Sequence, residues 1–248
     1  MKISVLLSMG LILILASCGT PQIATPGPTP EVIRVYTPPS LQPWADKLAN
    51  CADNDPLAAI YLLPAGGSDA SLNQGDIQLE LGQPSILKRD EQLFQVGWEQ
   101  VVVVVNQANP ISALSDEQVL RIFSGEETSW ESEAGKRIQV WVLPEDEPTR
   151  IVFDNSFGLT QVLAPAAKLA PDPIAMMKAI STDEKAIGYL PLSFIDNGNS
   201  SSAGDIKIVQ LDSTAEEKLK QPVLAFTASE PTGRIRDMLV CLQNSGTH

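Results

Sequence analysis

Residues able to do acid–base or nucleophilic chemistry are few in this chain. Its one histidine, His248, is the last residue of the sequence. Terminal residues are seldom tied down, so a serine or cysteine nucleophile would have no imidazole held beside it as a base. The cysteines, at positions 18, 51 and 241, are far apart, and no His/Cys cluster has the spacing of zinc ligands. A GxxxxGK phosphate loop is absent as well. Asp146 and Glu147 are adjacent carboxylates with acid–base capacity, but in the run Glu145-Asp-Glu-Pro-Thr-Arg150 they read first as a solvated acidic turn. The expectation is a protein that is not an enzyme and needs no metal or cofactor. What remains are hydroxyls, a glycine and one guanidinium at predicted turns and helix starts: Thr37, Ser40, Gly67, Ser68, Thr149 and Arg150. Hydroxyl and N–H donors at such places can hold a small ligand, above all an anion.

The elements that must position these groups alternate along the chain. Ile33–Tyr36 reads as a strand, Thr37-Pro-Pro-Ser40 as a turn, and Leu41–Cys51 as a helix that Ser40 can cap. Ala58–Leu63 and Ile77–Leu81 are short apolar strands, with the loop carrying Gly67 and Ser68 between them. The five valines at 101–105 suit a strand covered on both faces. Ser115-Asp-Glu-Gln118 is a capping box and Gly125 a helix stop. Ile138–Leu143, Ala186–Leu190, Ile206–Leu211 and Val223–Phe226 read as strands. Helices are expected after Asp172-Pro173, from Thr214 to Lys220 and from Thr232 to Asn244. The helix after Pro173 carries Ile174, Met177 and Ile180, and its methionines are expected to be core filler rather than a metal or cofactor site. The four tryptophans, Trp44, Trp98, Trp130 and Trp141, are expected to pack rather than to form ligand platforms. Strand–helix alternation of this kind gives an α/β fold.

Several of these segments fall together in a known order. Val101–Val105 followed by Asn106-Gln-Ala-Asn-Pro110 resembles the "VVVNxxNP" segment of phosphate-type periplasmic binding proteins. Leu114-Ser115-x-Glu117-Gln118-Val119-x-x-Ile122-Phe123-Ser124-Gly125, then Trp130, Ile138-Gln139-Val140 and Ala186-Ile-Gly-Tyr-Leu190, continue it at matching spacing. The resemblance covers residues 97–195 well, and the flanks in broad organisation. It implies a two-lobed type II periplasmic-binding-protein fold, with residues 32–102 and 191–248 forming one lobe and 103–190 the other. Crossovers near Val102–Val105 and Tyr189–Leu192 would be the hinge, and a small ligand, phosphate or another oxyanion, would sit in the cleft. The family grips its oxyanion with a Gly-Ser-Gly-Thr-Arg loop. This chain has Asp146-Glu-Pro-Thr-Arg150 there, keeping Thr149 and Arg150, replacing the glycines and the serine, and losing one N–H at Pro148. Two unit charges about 4 Å apart repel by roughly 1 kcal/mol in water and by more in a drier cleft, so the acids at 145–147 oppose an arriving anion. Ser40 and Thr149 are equally readable as helix caps and Gly67 as a turn residue. Arg150 can meet a ligand or pair with Glu147 or Asp154, and the abundance of local acid favours the pair.

The N-terminus carries an address. Lys2 precedes an almost wholly apolar run, Ile3–Leu15, and Leu15-Ala-Ser-Cys18 resembles a bacterial lipobox. The resemblance implies a signal peptide at 1–17, lipid on Cys18 and anchoring to the cell membrane outside the cytoplasm. Residues 18–31, rich in Pro, Thr and Gly, read as a flexible tether. With Cys18 given to lipid, Cys51 and Cys241 are an even pair in an oxidising compartment and are expected to form a disulfide. The formal charge is −13, and loss of Lys2 with the leader makes it −14, which disfavours nucleic acid as a partner. The expected partners are the small ligand, an ABC permease and the membrane, with the protein itself a monomer. The competing reading is a binding-protein scaffold that has lost phosphate and serves as a sensor or surface-interaction lipoprotein.

Overall fold

The computed structural model describes residues 27, 29–53, 55–65, 72–83, 91–130, 137–196 and 203–245. The leader, Cys18, nearly all of the tether, Gly67 and Ser68 lie outside these residues. The strands are β1 (Glu31–Thr37), β2 (Ala58–Pro64), β3 (Asp76–Leu81), β4 (Gln92–Asn106), β5 (Gln139–Val142), β6 (Lys168–Leu169), β7 (Ala186–Pro191), β8 (Ile206–Ile208) and β9 (Lys220–Thr227). The helices are α1 (Gln42–Ala52), α2 (Asp116–Ser124), α3 (Pro148–Phe157), α4 (Pro173–Thr182), α5 (Ser193–Asp196), α6 (Ser213–Lys218) and α7 (Gly233–Ser245). β1 thus begins on Glu31, the last residue assigned to the tether. A 3-10 turn, Pro39–Leu41, separates β1 from α1.

All these strands join in one sheet, in the order β2-β1-β3-β9-β4-β7-β5-β6, with β8 also on β4. β4 is the axis of the molecule. Its first part, Gln92–Gln100, pairs antiparallel with β9, while Val101–Val105 pairs antiparallel with β7. Val103, Val104 and Val105 are fully buried, as a strand sandwiched between helices demands. β4 is longer than the valine run because the polar, glycine-containing stretch before it also pairs. Gly97 is required there: a Cβ would stand 2.2 Å from the Trp44 ring, so glycine lets the indole lie against the strand. After β7 the chain returns to the second half of β4 as β8, pairing with Val104–Asn106, before crossing to β9.

Local chemistry sets the helices. Ser115 Oγ accepts the Gln118 N–H and Gln118 Oε1 accepts the Ser115 N–H, completing the capping box of α2, and Gly125 ends it with φ 82°. Asp172 caps α4 by accepting the Ala175 N–H at 2.7 Å. Met176, Met177 and Ile180 are buried, but Ile174 is 61% exposed, because it lies on the outer face of α4 while Pro173 and Met176 face inward. Gly188 of β7 lies under Met176 and Ile180, where a Cβ would approach within 2.8 Å. An aromatic cluster fixes α3: Phe153 stacks on Tyr189 of β7 at 4.0 Å and meets Phe123 of α2 edge-on at 4.7 Å. Trp44 and Trp130 are buried and Trp141 half-buried. Trp98, however, is 52% exposed at the strand surface and does not pack in the core as expected.

Cys51 and Cys241 are disulfide-bonded, joining α1 to α7 across 190 residues of sequence. Closing so long a loop restrains the unfolded chain and is worth about 2–5 kcal/mol.

Candidate functional site

An open groove of about 940 Å³ runs between the β1–β3 side of the sheet and α3. Pro38, Pro39, Pro64 and Ala65 form one rim with β3 residues Gln78–Leu81. Asp146, Glu147 and the α3 face of Ile151 and Asn155 form the other, and Lys218 and Gln221 also line it. At its head the two sides touch. The Ser40 backbone N–H donates to Glu147 Oε1 at 3.1 Å, a contact between residues 107 apart. Prolines on both sides arrange this meeting. Pro38 and Pro39 have no N–H, so Ser40 carries the first free donor of the turn into α1. Pro148 opens α3 at its first position, the place where a missing N–H costs least. Glu147 stands at the N-cap of α3 in an extended conformation, yet its side chain does not cap that helix. It reaches across the groove instead.

Glu147 is 5% exposed. Burial pushes its carboxyl above the ordinary carboxylate range, the Ser40 donors pull the other way, and the charges of Asp146 and Asp172 add to the upward push. Among the described residues no lysine or arginine pairs with it. Ser40 Oγ and Thr149 Oγ1 are fully buried and make no hydrogen bond of good geometry. Buried hydroxyls without partners are uncommon, and each calls for an explanation.

The sequence-predicted residues therefore divide. Ser40 comes to the head of the groove but does not cap α1, whose N-cap is Leu41. Thr149 lies in the first turn of α3 and is not its cap either. Thr37 turns aside: its hydroxyl donates to Pro38 O at 3.2 Å, and it lines a neighbouring recess of about 390 Å³ with Leu62, Pro64, Ile174 and Phe194. Arg150 is withdrawn into the protein. Its Nε donates to Asp154 Oδ2 at 3.1 Å, its Nη1 to Leu143 O at 2.8 Å, and Glu145 lies 3.8 Å from Nη2. Sequence reasoning read Glu147 as part of a solvated acidic turn, a repulsive neighbour or a partner for Arg150; it is instead buried and bonded to Ser40. The same reasoning missed the β3 wall and Gln221. Nothing local marks these residues, because they reach the groove through long-range pairing.

A second buried carboxylate lies where β4 passes between its two pairing partners. Glu99, 2% exposed, accepts from Trp44 Nε1 at 2.7 Å and from the Ser193 and Gln100 N–H groups at 3.2 and 3.1 Å. Burial raises its pKa against the pull of these donors. No cluster of three or more His, Cys, Asp and Glu suited to a metal occurs among the described residues, and no helix there is long and apolar enough to cross a membrane.

A family model described as a PBP superfamily domain matches residues 84–244. Similar solved structures include an ABC-type phosphate transport receptor from Vibrio cholerae, with TM-score 0.61 and 18% identity over 86% of this chain and 93% of that one. A provisionally assigned phosphate ABC transporter substrate-binding protein from Clostridium perfringens, with bound phosphate, gives 0.69 and 17% over 86% and 93%. The CcmR regulatory domain of Synechocystis PCC6803 in complex with 2-PG gives 0.61 and 12% over 88% and 98%. At these identities the likeness shows the fold, which is of the type II periplasmic-binding-protein kind. A comparison with curated proteins finds no match.

Proposed function

The chain belongs to the PBP superfamily, and from that premise we propose that it is an extracytoplasmic solute-binding protein, anchored by lipid on Cys18, that clamps a small ligand and delivers it to an ABC permease. The observation that carries this reading is the groove of about 940 Å³, within the range of small-molecule sites. The proposed lobes are residues 32–102 with 191–248, and residues 103–190. They would rock about the place where Val102 and Val103 lie beside Leu190 and Tyr189. Binding without turnover accords with the chain's single histidine, at position 248.

A second reading has its own observation. The Ser40 N–H, a donor suited to a bound oxyanion, is taken by the chain's own Glu147. This favours a scaffold that has lost phosphate and works as a sensor. The fold also occurs in a regulatory domain, that of Synechocystis CcmR in complex with 2-PG.

Thermal melting of the mature protein with a panel of oxyanions, amino acids and metal cations separates the two. A ligand bound only by the folded state raises the melting temperature. A shift with at least one panel member is the result expected for a receptor, and an unmoved transition with all of them favours the scaffold.

A further inference from the structure

We propose that Glu147 is a resident anion: its carboxylate fills the place at the head of the groove that an incoming oxyanion would need, and so sets the specificity of the site against oxyanions. This rests on the reading of the groove as the solute site.

Three observations on the structure lead there. First, the surroundings of Glu147 are those of an anion site. The Ser40 N–H points at it from the turn that opens α1. The ten-residue helix α3 begins beside it with no side-chain cap, so the positive end of that helix is left for an anion. The Ser40 hydroxyl is fully buried and, with the Ser40 N–H, acts on Glu147 as a donor that pulls its pKa down. Second, that carboxylate is supplied by the chain, and no lysine or arginine among the described residues forms an ion pair with it, although Lys218 lines the same groove. Arg150, the nearest candidate in sequence, is engaged by Asp154, the Leu143 carbonyl and Glu145. A buried carboxylate is ordinarily paired with a cation or held by several donors. Here the accounted donors are those an external anion would otherwise use. Third, Asp146 lines the same groove and Asp172 lies close enough to raise the Glu147 pKa. An oxyanion would therefore meet the carboxylates of Asp146 and Glu147 in the groove and find the Ser40 donor occupied. The solute of the native protein is accordingly one that places no oxyanion group at this point.

Replacing the side chain should convert the site. In Glu147→Ser and Glu147→Ala the Ser40 N–H and hydroxyl lose their internal competitor, and inorganic phosphate or sulfate gains access. The experiment is thermal melting and calorimetric titration of the native protein and both variants with inorganic phosphate and with sulfate at neutral pH. The native protein should not respond. Each variant should bind, with a rise in melting temperature of about 5–10 °C when the anion is at a hundredfold excess over its Kd. Adding Ser40→Ala to Glu147→Ser should weaken the new affinity by about tenfold, the effect of one lost hydrogen bond to a charged group. The proposal is overturned if the native protein binds phosphate as tightly as the variants. It is overturned equally if both variants melt cooperatively at temperatures near native and show no response to either anion. The clamp reading fails on a different result, an unresponsive native protein across the whole solute panel, so the two failures are distinguishable.

Discussion

Glu99 and Glu147 are both buried carboxylates, and burial pushes both above the ordinary carboxylate range. They differ in how they are held. Glu99 accepts three donors from three elements: the Trp44 indole of α1, the Gln100 amide of β4 and the Ser193 amide at the start of α5. Both of its oxygens are bonded, and it ties together elements that meet where β4 changes partner. Both line open recesses, but Glu147 takes its donors from a single residue, Ser40, whose backbone N–H bonds one of its oxygens. A carboxylate saturated by fixed elements acts as a strut. One held by a single residue across a groove is exchangeable, and exchangeability is what a binding site requires.

The largest effect should come from the strut. Glu99→Ala removes the acceptor of the buried Ser193 N–H, of the part-buried Gln100 N–H and of the Trp44 indole N–H. At about 1–3 kcal/mol for each buried donor left unmet, the expected loss is about 3–5 kcal/mol after partial relaxation. That corresponds to a fall in melting temperature of about 10 °C or more for a chain of this size. A Glu99→Ala protein that melts like the native one would break the comparison.

Arg150 comes next and sharpens the same division. The family resemblance offered it as a ligand residue, but its guanidinium is buried against Asp154 and the Leu143 carbonyl. Arg150→Ala leaves the buried Asp154 charge without its partner, an expected cost of about 2–4 kcal/mol in chemical denaturation. Whatever solute shifts the native melting curve should still shift that of the variant. Loss of the solute response with unchanged stability would return Arg150 to the ligand set.

The division also shows what the sequence could and could not disclose. The α2 capping box, the buried valine strand and the pairing of Cys51 with Cys241 were legible because each rests on local chemistry or on cysteine arithmetic. The strand before the valines was not, because a glycine and polar residues interrupt its alternation. Gly97 makes sense only beside Trp44, which approaches from more than fifty residues away. Within the site, the loop at 145–150 could be recognised as a departure from the family pattern. Which atom Glu147 would seek could not. Its partner is 107 residues distant, and only the packing of α3 through Phe153 and Tyr189 brings the two within reach.

The smallest expected effect is in pH dependence, and it tests the comparison without disturbing the fold. Glu99, Glu147 and Asp154 all have folded-state pKa values raised chiefly by burial. Between the ordinary carboxylate value, about 4, and the raised one, the folded protein holds protons that the unfolded chain has released, so stability falls as pH rises through that window. Acidifying from pH 7 to about 5 should therefore raise stability or leave it level. Asp55 acts in the opposite sense: the Leu57 N–H and Arg234 lower its pKa, and its contribution is lost only as pH falls through the ordinary carboxylate range and below. Glu147→Gln, which keeps the shape and an acceptor for the Ser40 N–H, removes one of the three raised groups. Its stability at pH 7 should lie within about 1 kcal/mol of native, or above it, and its curve between pH 7 and about 5 should be flatter. Urea titrations across that range decide the matter. A native protein that loses stability steadily on this mild acidification would mean that Glu147 is held as firmly as a salt-bridged carboxylate, and the contrast with Glu99 would vanish.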